Sequence, residues 1–182
     1  NRIAKWDGTN WSPLGNGLNR TCLALAVDGS GNVYAGGEFF TAGGVSASCI
    51  ARWNGSTWTA LGTGLVLPFI SFTPERCNAI AIDGNGNVYA GGRFSLAGGV
   101  SVANIARWDG SNWFSLGNGL GDVCSALVIG PSGQLYAGGI FTSDGAGNGT
   151  LNRIARWNGS NWFPLGDGLN QSCQGITFLG SS

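Results

Sequence analysis

The sequence contains no histidine and no methionine, and its charges are few: nine Lys or Arg against nine Asp or Glu in 182 residues. The absence of histidine removes the commonest metal ligand and the commonest general base at neutral pH. Nucleic acids and anionic membranes require a clustered positive surface, which a sparse and balanced charge does not provide. We therefore expect no enzyme activity, no cofactor, no metal and no nucleic-acid partner.

Long apolar runs are also missing, so no segment is expected to insert into a membrane. Glycine is abundant, with 34 residues, but it lacks the Gly-X-Y period of collagen. The eight tryptophans and nine phenylalanines supply enough apolar surface for a folded core, which argues against disorder. The length suits a single domain covering residues 1–182.

One hexapeptide of the form Ile-Ala-Lys/Arg-Trp-Asp/Asn-Gly occurs four times. Its copies begin at Ile3, Ile50, Ile105 and Ile154. They lie about 50 residues apart, and a period of this size is typical of repeat architectures. Each repeat contains four short β-type runs, and Asp-Gly or Asn-Gly between such runs is a strong hairpin signal. In one repeat the runs cover residues 22–27, 32–37, 50–53 and 57–61.

Each hexapeptide begins a hairpin with two tryptophans. Trp6 and Trp11 flank a turn at Asp7-Gly8, so an antiparallel pairing places the two rings opposite each other. Such a pair favours packing between neighbouring sheets, although aromatic pairs could also stack on sugars. The candidate core residues between sheets are Trp6, Trp11, Trp53, Trp58, Trp108, Trp113, Trp157 and Trp162.

Four strands in each repeat of about 45–50 residues is the spacing of β-propeller blades. Residues 24–37 and 79–92, which share the run Asn-Val-Tyr-Ala-Gly-Gly, resemble bacterial β-propeller repeats of the SBBP and NHL kind. Residues 126–139 depart from the pattern, because Gly130 replaces the turn aspartate. The resemblance implies a secreted propeller in which the run before the turn is the innermost strand and Tyr-Ala-Gly-Gly the second. It implies nothing specific about function.

We therefore predict an all-β fold, a β-propeller with four blades of four antiparallel strands. Three complete blades are expected at about residues 22–62, 77–117 and 124–166. A composite fourth blade would combine residues 1–15 with an innermost strand in residues 173–182. This blade lacks one strand, because no fourth Tyr-Ala-Gly-Gly run is present. The gap is left open, filled by unrecognised sequence, or filled by another chain; a longer parent protein with more blades would also explain it.

Four of the five cysteines occupy equivalent positions, just before each predicted innermost strand: Cys22, Cys77, Cys124 and Cys173. The fifth, Cys49, lies outside this pattern. All five are disulfide candidates, and small buried thiols that pack as apolar groups are the alternative. Because five is an odd number, we predict that at least one cysteine bonds to a neighbouring subunit.

An apolar segment interrupts the repeat between the first two blades. Residues 65–74 include Phe69, Ile70 and Phe72, where a short surface connection is expected. An apolar loop of this kind marks a contact site, and these three residues with Cys49 are the candidate assembly contacts. The alternative is that the loop folds back over the domain.

The remaining polar residues indicate turns rather than chemistry. Asp7, Asp28, Asp83 and Asp109 all precede glycine, where the carboxylate bonds its own backbone. A calcium site at residues 28–32 is the alternative, but that loop offers a single carboxylate.

These features favour a non-enzymatic structural protein, located outside the cell or on its surface. It would assemble into a homo-oligomer, filament or surface layer by strand complementation, with a disulfide between subunits as an added link. The alternative is a carbohydrate-binding, lectin-like or adhesion module, for which a glycan would be the partner.

Overall fold

The computed structural model describes residues 1–67 and 74–178. In this part of the chain all regular structure is β-strand, and no helix that could cross a membrane is present. The strands are β1 (Ala4–Trp6), β2 (Trp11–Pro13), β3 (Cys22–Val27), β4 (Val33–Gly37), β5 (Thr41–Ala42), β6 (Val45–Ser46), β7 (Ile50–Trp53), β8 (Trp58–Ala60), β9 (Leu65–Val66), β10 (Arg76–Ile82), β11 (Val88–Arg93), β12 (Leu96–Ala97), β13 (Val100–Ser101), β14 (Ile105–Trp108), β15 (Trp113–Ser115), β16 (Cys124–Ile129), β17 (Leu135–Gly139), β18 (Ile154–Trp157) and β19 (Trp162–Pro164).

Three antiparallel sheets of four strands share one strand order. The first sheet is β3-β4-β7-β8, the second is β10-β11-β14-β15, and the third is β16-β17-β18-β19. Each has the same bulge near the start of its first strand, for example between Cys77 and Ala79. The sequence prediction is thus confirmed as an all-β chain of antiparallel sheets. The closed four-bladed ring stays a prediction.

The tryptophan hairpins form as their turn residues predict. In the second sheet, the Asp109 carboxylate accepts hydrogen bonds from the backbone N–H groups of Ser111 and Asn112, at 2.8 and 2.7 Å. Gly110 takes the positive φ that closes the turn. Trp108 therefore lies opposite Trp113, and equivalent pairs form in the other hairpins, with ring centroids 5.3–5.5 Å apart.

Two smaller sheets lie beside the outer strands of the first two sheets. One pairs β5 with β6, and the other has the order β13-β12-β9. Their tight turns use glycine pairs at positive φ, Gly43-Gly44 and Gly98-Gly99. The sequence indicated turns at these positions but gave no strand signal, because each strand has only two residues.

Neither end of the described chain carries a four-stranded sheet. Strands β1 and β2 form a two-stranded sheet, here called the terminal hairpin. The sequence prediction of a strand starting at Cys173 is wrong for the described residues, because residues 173–178 (the end segment) join no ladder. The described residues contain no further strand of the Tyr-Ala-Gly-Gly type that could pair with it.

The core consists of layers between consecutive sheets. One cluster joins the first and second sheets, with Ile50 and Leu65 packed against Cys77. Another joins the second and third sheets around Ile105 and Phe141. A third joins the terminal hairpin to the first sheet through Ile3 and Leu14. Each sheet is therefore stabilised by its neighbours in the chain.

Candidate assembly interface

The second strand of each sheet contains a glycine that contacts the first strand of the next sheet. A Cβ atom on Gly36 would lie 2.6 Å from Sγ of Cys77, and one on Gly91 would lie 2.6 Å from Sγ of Cys124. The end segment repeats this contact, because Cys173 packs on Gly138 in the same way. Residues 173–178 therefore occupy the place of a first strand although they form no ladder.

A second contact joins the outer hairpins. Nε1 of Trp58 donates to the carbonyl of Leu14 at 2.8 Å, and Trp113 donates to Leu61 at 2.8 Å. The third copy runs from Trp162 to the carbonyl of Leu116 at 3.1 Å. Trp58 and Trp113 are only 4% exposed. One tryptophan in each pair thus closes the contact with the preceding hairpin.

The terminal hairpin presents the donor half of this contact without its acceptor. Trp11, the counterpart of Trp58 and Trp113, is 69% exposed, and Trp6 is 48% exposed. Their rings pack against each other, with centroids 5.4 Å apart. Trp6 and Trp11 therefore differ from the predicted role of core residues between sheets. The reason is that no other hairpin of the described chain packs against them.

The opposite end presents the acceptor half. The Leu165 carbonyl accepts from the Gly168 N–H at 3.0 Å, and in the described residues it receives no tryptophan N–H. A Cβ on Gly166 would meet no described atom within 4 Å, whereas the equivalent Gly62 and Gly117 face a tryptophan ring. The sequence signal for this surface is the dipeptide Leu-Gly, which follows every tryptophan hairpin.

A groove separates β1 from β3. It has a volume of about 380 Å³ and is lined by Arg2, Ile3, Ala4 and residues 22–25. The groove is open at its β3 wall: Leu25 is 56% exposed, whereas the equivalent Ile80 is 9% exposed. The missing Tyr-Ala-Gly-Gly run indicated that a strand beside the terminal hairpin is absent. The sequence alone did not identify the side chains that line the resulting groove.

Four equivalent residues, each one position after a repeat cysteine, line a separate cavity of about 310 Å³. They are Leu23, Asn78, Ser125 and Gln174. Glu38 and Arg76 complete its lining. The first strands of all three sheets and the end segment therefore converge on one cavity.

All five cysteines are free thiols, and the described residues contain no disulfide bond. Burial, with a smaller contribution from Glu75, raises the pKa of Cys49 to about 12. Burial also raises the pKa of Cys124 to about 12 and that of Cys77 well above its usual value. Cys22 is only half-buried, and burial raises its pKa as well. This environment favours the alternative of packed thiols over disulfides.

We expect a thiol-reactive reagent at pH 8 to modify Cys22 alone in the folded protein, because the thiolate is the nucleophile and the other thiols are buried. After denaturation without reductant, all five thiols should react. Absorbance titration with a chromogenic disulfide reagent gives both counts. Fewer than five reactive thiols in the denatured chain would support the disulfide prediction instead.

The other candidate contact residues, Phe69, Ile70 and Phe72, lie outside the described residues. The prediction that they form an assembly surface therefore stays a prediction. Cys49, which was grouped with them, is fully buried beneath the second sheet's first strand and donates to the carbonyl of Glu75.

The turn aspartates bond their own loops. The Asp83 carboxylate accepts from the backbone N–H of Asn85 and Asn87, from the Asn87 amide and from the Tyr89 hydroxyl, at 2.8–3.1 Å. Burial raises the pKa of Asp83, but these bonds outweigh it and the net pKa is lowered. In residues 1–67 and 74–178, no group of three or more metal-ligating side chains comes together.

A cleft of about 360 Å³ lies between the second and third sheets. Its lining includes Tyr89, Arg107, Phe114, Gln134 and Trp157. The Arg107 guanidinium stacks on the Phe114 ring at 4.8 Å from its centroid. Aromatic faces beside planar polar groups are suited to a polar ring-shaped ligand such as a sugar.

No family model matches the chain, and no curated protein matches it.

Proposed function

We propose that this chain is a non-enzymatic, extracellular structural subunit that assembles end to end with further copies of itself. The observation that carries the proposal is the pair of unmatched ends. Exposed Trp11 is a donor without its acceptor, and Leu165-Gly166 is an acceptor surface without its tryptophan. The same contact occurs three times inside the chain in filled form.

Within each copy, we propose a four-unit β-propeller. Its support is the cavity lined by Leu23, Asn78, Ser125 and Gln174, because equivalent residues surround a common axis in a radial arrangement. The end segment would supply the inner strand of the fourth unit and the terminal hairpin its outer pair. Its second strand would be missing. The ring would also stay open between the third and fourth units, because Trp11 is exposed and does not reach Leu165 of the same chain.

A contact between Trp11 of one copy and Leu165 of the next uses two different surfaces. Such a heterologous contact generates a ring if it closes and a filament if it does not. It would bury a large aromatic surface that is otherwise exposed to water. The contact itself is non-covalent, because none of Trp11, Leu165 and Gly166 carries a thiol.

Replacing Trp11 with serine (W11S) should abolish assembly and leave the fold intact, since Trp11 is 69% exposed. Sedimentation velocity and negative-stain electron microscopy should show large particles for the unmodified protein and monomers for W11S. Val100→Ser is the matched control, because Val100 is also a partly exposed apolar residue but lies away from both ends. It should assemble normally.

Mixing W11S with the unmodified protein distinguishes the contact between Trp11 and Leu165 from a symmetric contact between two Trp11 side chains. A W11S copy keeps its Leu165-Gly166 surface and should cap growing assemblies, so that they become shorter as its proportion rises. If Trp11 instead paired with Trp11 of a second copy, W11S would be inert in the mixture. A dispersed, monomeric unmodified protein would contradict the proposal.

Carbohydrate binding is the second candidate function. It is favoured by the cleft that Tyr89, Arg107 and Trp157 line between the second and third sheets. A glycan array probed with W11S separates the two functions, because a lectin binds glycans without assembling.

A further inference from the structure

The groove between β1 and β3 has three filled counterparts within the same chain. Strand β4 pairs with β7 and packs on β10, and β11 pairs with β14 and packs on β16. Strand β17 pairs with β18 and packs on the end segment. In each case the occupant is a strand that contains Tyr-Ala-Gly-Gly. The fourth groove has equivalent walls and holds no strand of the described chain.

The filled grooves define the register for an occupant of the fourth. Gly36 lies opposite Ile50, Ala35 opposite Ala51, and Tyr34 opposite Arg52. The counterparts of Ile50, Ala51 and Arg52 are Ile3, which immediately precedes β1, and Ala4 and Lys5 on β1. The free edge of β1 would therefore pair with glycine, alanine and tyrosine in an antiparallel ladder.

The wall opposite β1 leaves room only for a glycine at one position of a bound strand. In the filled grooves, a Cβ on the first glycine of the pair would come within 2.6 Å of the neighbouring cysteine Sγ, as at Gly36 and Gly91. Cys22 occupies the same place in the empty groove. An occupant with any larger residue at this position would collide with it.

An acceptor for the second glycine is already in position. Cys49, Asn104 and Arg153 have positive φ values of 64°, 60° and 71°. Their carbonyls each accept the N–H of the second glycine at 3.0 Å, as from Gly37 to Cys49. Arg2 is the fourth residue in this series and also has a positive φ, 35°, although the described residues supply no glycine for it. The backbone is thus preorganised for a partner.

The lining shows what an occupant would bury. Ala51, Ala106 and Ala155 are fully buried where a second strand covers them, whereas Ala4 is exposed. Leu25 is likewise open, although its counterpart Ile80 is buried. An added strand would remove these apolar groups from water and satisfy the free edge of β1.

We infer that this groove binds an extended peptide strand of the sequence Val/Leu-Tyr-Ala-Gly-Gly, supplied by polypeptide outside the described chain. The strand adds to β1 by main-chain pairing, and the glycine pair gives the specificity. The inference rests on the proposed function in one respect, the assignment of the terminal hairpin and the end segment to one unit. End-to-end assembly through Trp11 does not enter it.

The test uses a fluorescein-labelled peptide with the sequence of residues 86–93, Gly-Asn-Val-Tyr-Ala-Gly-Gly-Arg. Fluorescence anisotropy with the full-length W11S chain, which is kept from assembling, should show saturable binding. The amide resonances of Ala4 and Leu25 should shift on titration. A peptide with valine in place of the first glycine should bind at least about tenfold more weakly.

A variant of the chain locates the binding. Cys22→Leu fills the space that the first glycine needs and should weaken binding at least about tenfold, whereas Cys22→Ala should bind normally. Circular dichroism checks that both variants fold. Absence of binding up to about 1 mM peptide, equal binding of the valine peptide, or unchanged binding to Cys22→Leu would each overturn the inference. Peptide binding by a protein that never assembles would overturn only the proposed function.

Discussion

Replacing Trp113 with alanine is expected to lower the free energy of unfolding by about 3–5 kcal/mol. Trp113 is 4% exposed and lies between the second sheet and the preceding hairpin. The substitution leaves a cavity, removes the stack with Trp108 and deletes the hydrogen bond to the Leu61 carbonyl. Urea denaturation followed by tryptophan fluorescence and circular dichroism measures the change.

The matched control is Trp11→Ala, the same substitution at the equivalent position of the terminal hairpin. Because Trp11 is largely exposed in the single chain, only its stack with Trp6 is lost. The expected loss in the monomer is below about 1.5 kcal/mol. Both variants are compared with the unmodified chain at a protein concentration at which all three are monomeric. Equal losses there would mean that Trp11 is packed within the single chain, and the open end described above would then be wrong.

Replacing Gly91 with alanine should destabilise the protein by about 1–3 kcal/mol, although the change adds one methyl group. Its φ is not positive, so the backbone tolerates alanine, but the new Cβ would lie 2.6 Å from Sγ of Cys124. The penalty is therefore steric. Thermal and urea unfolding of the single variant measure it.

Two further variants separate this steric effect from a general effect of losing glycine. Gly84→Ala is the control, because a Cβ there meets no described atom within 4 Å, and a change within about 0.5 kcal/mol is expected. Adding Cys124→Ala to Gly91→Ala should make the pair less destabilised than the sum of the singles. If the changes in unfolding free energy of the two single variants add up exactly in the double variant, then the steric contact between position 91 and Cys124 does not cause the destabilisation.

The repeated hairpins could be predicted because their signals are local. Asp or Asn before glycine fixes a short turn, and the turn fixes Trp108 opposite Trp113 without any information from distant residues. The groove between β1 and β3 could be predicted by counting, since Tyr-Ala-Gly-Gly occurs only three times. Both features depend on sequence signals that span only a few consecutive residues.

The rest depends on contacts between units. Nothing near Trp11 distinguishes it from Trp113, and its exposure follows only from the lack of a preceding hairpin. The end segment has a strand-like sequence but joins no ladder, because a ladder needs a second strand. Arg2 has a positive φ that its residue type does not suggest. Its role as an acceptor for a glycine N–H is recognised only by comparison with the equivalent residues Cys49, Asn104 and Arg153.

The glycine-on-cysteine contact has a consequence for how a chain of this kind can change its length over evolution. Gly36, Gly91 and Gly138 each meet a partner in the next repeat, so every contact joins immediate neighbours. Duplication or deletion of a whole repeat would therefore create no contact type that the fold does not already contain. Copy number can therefore drift at small cost in stability, because each contact requires only the repeat beside it.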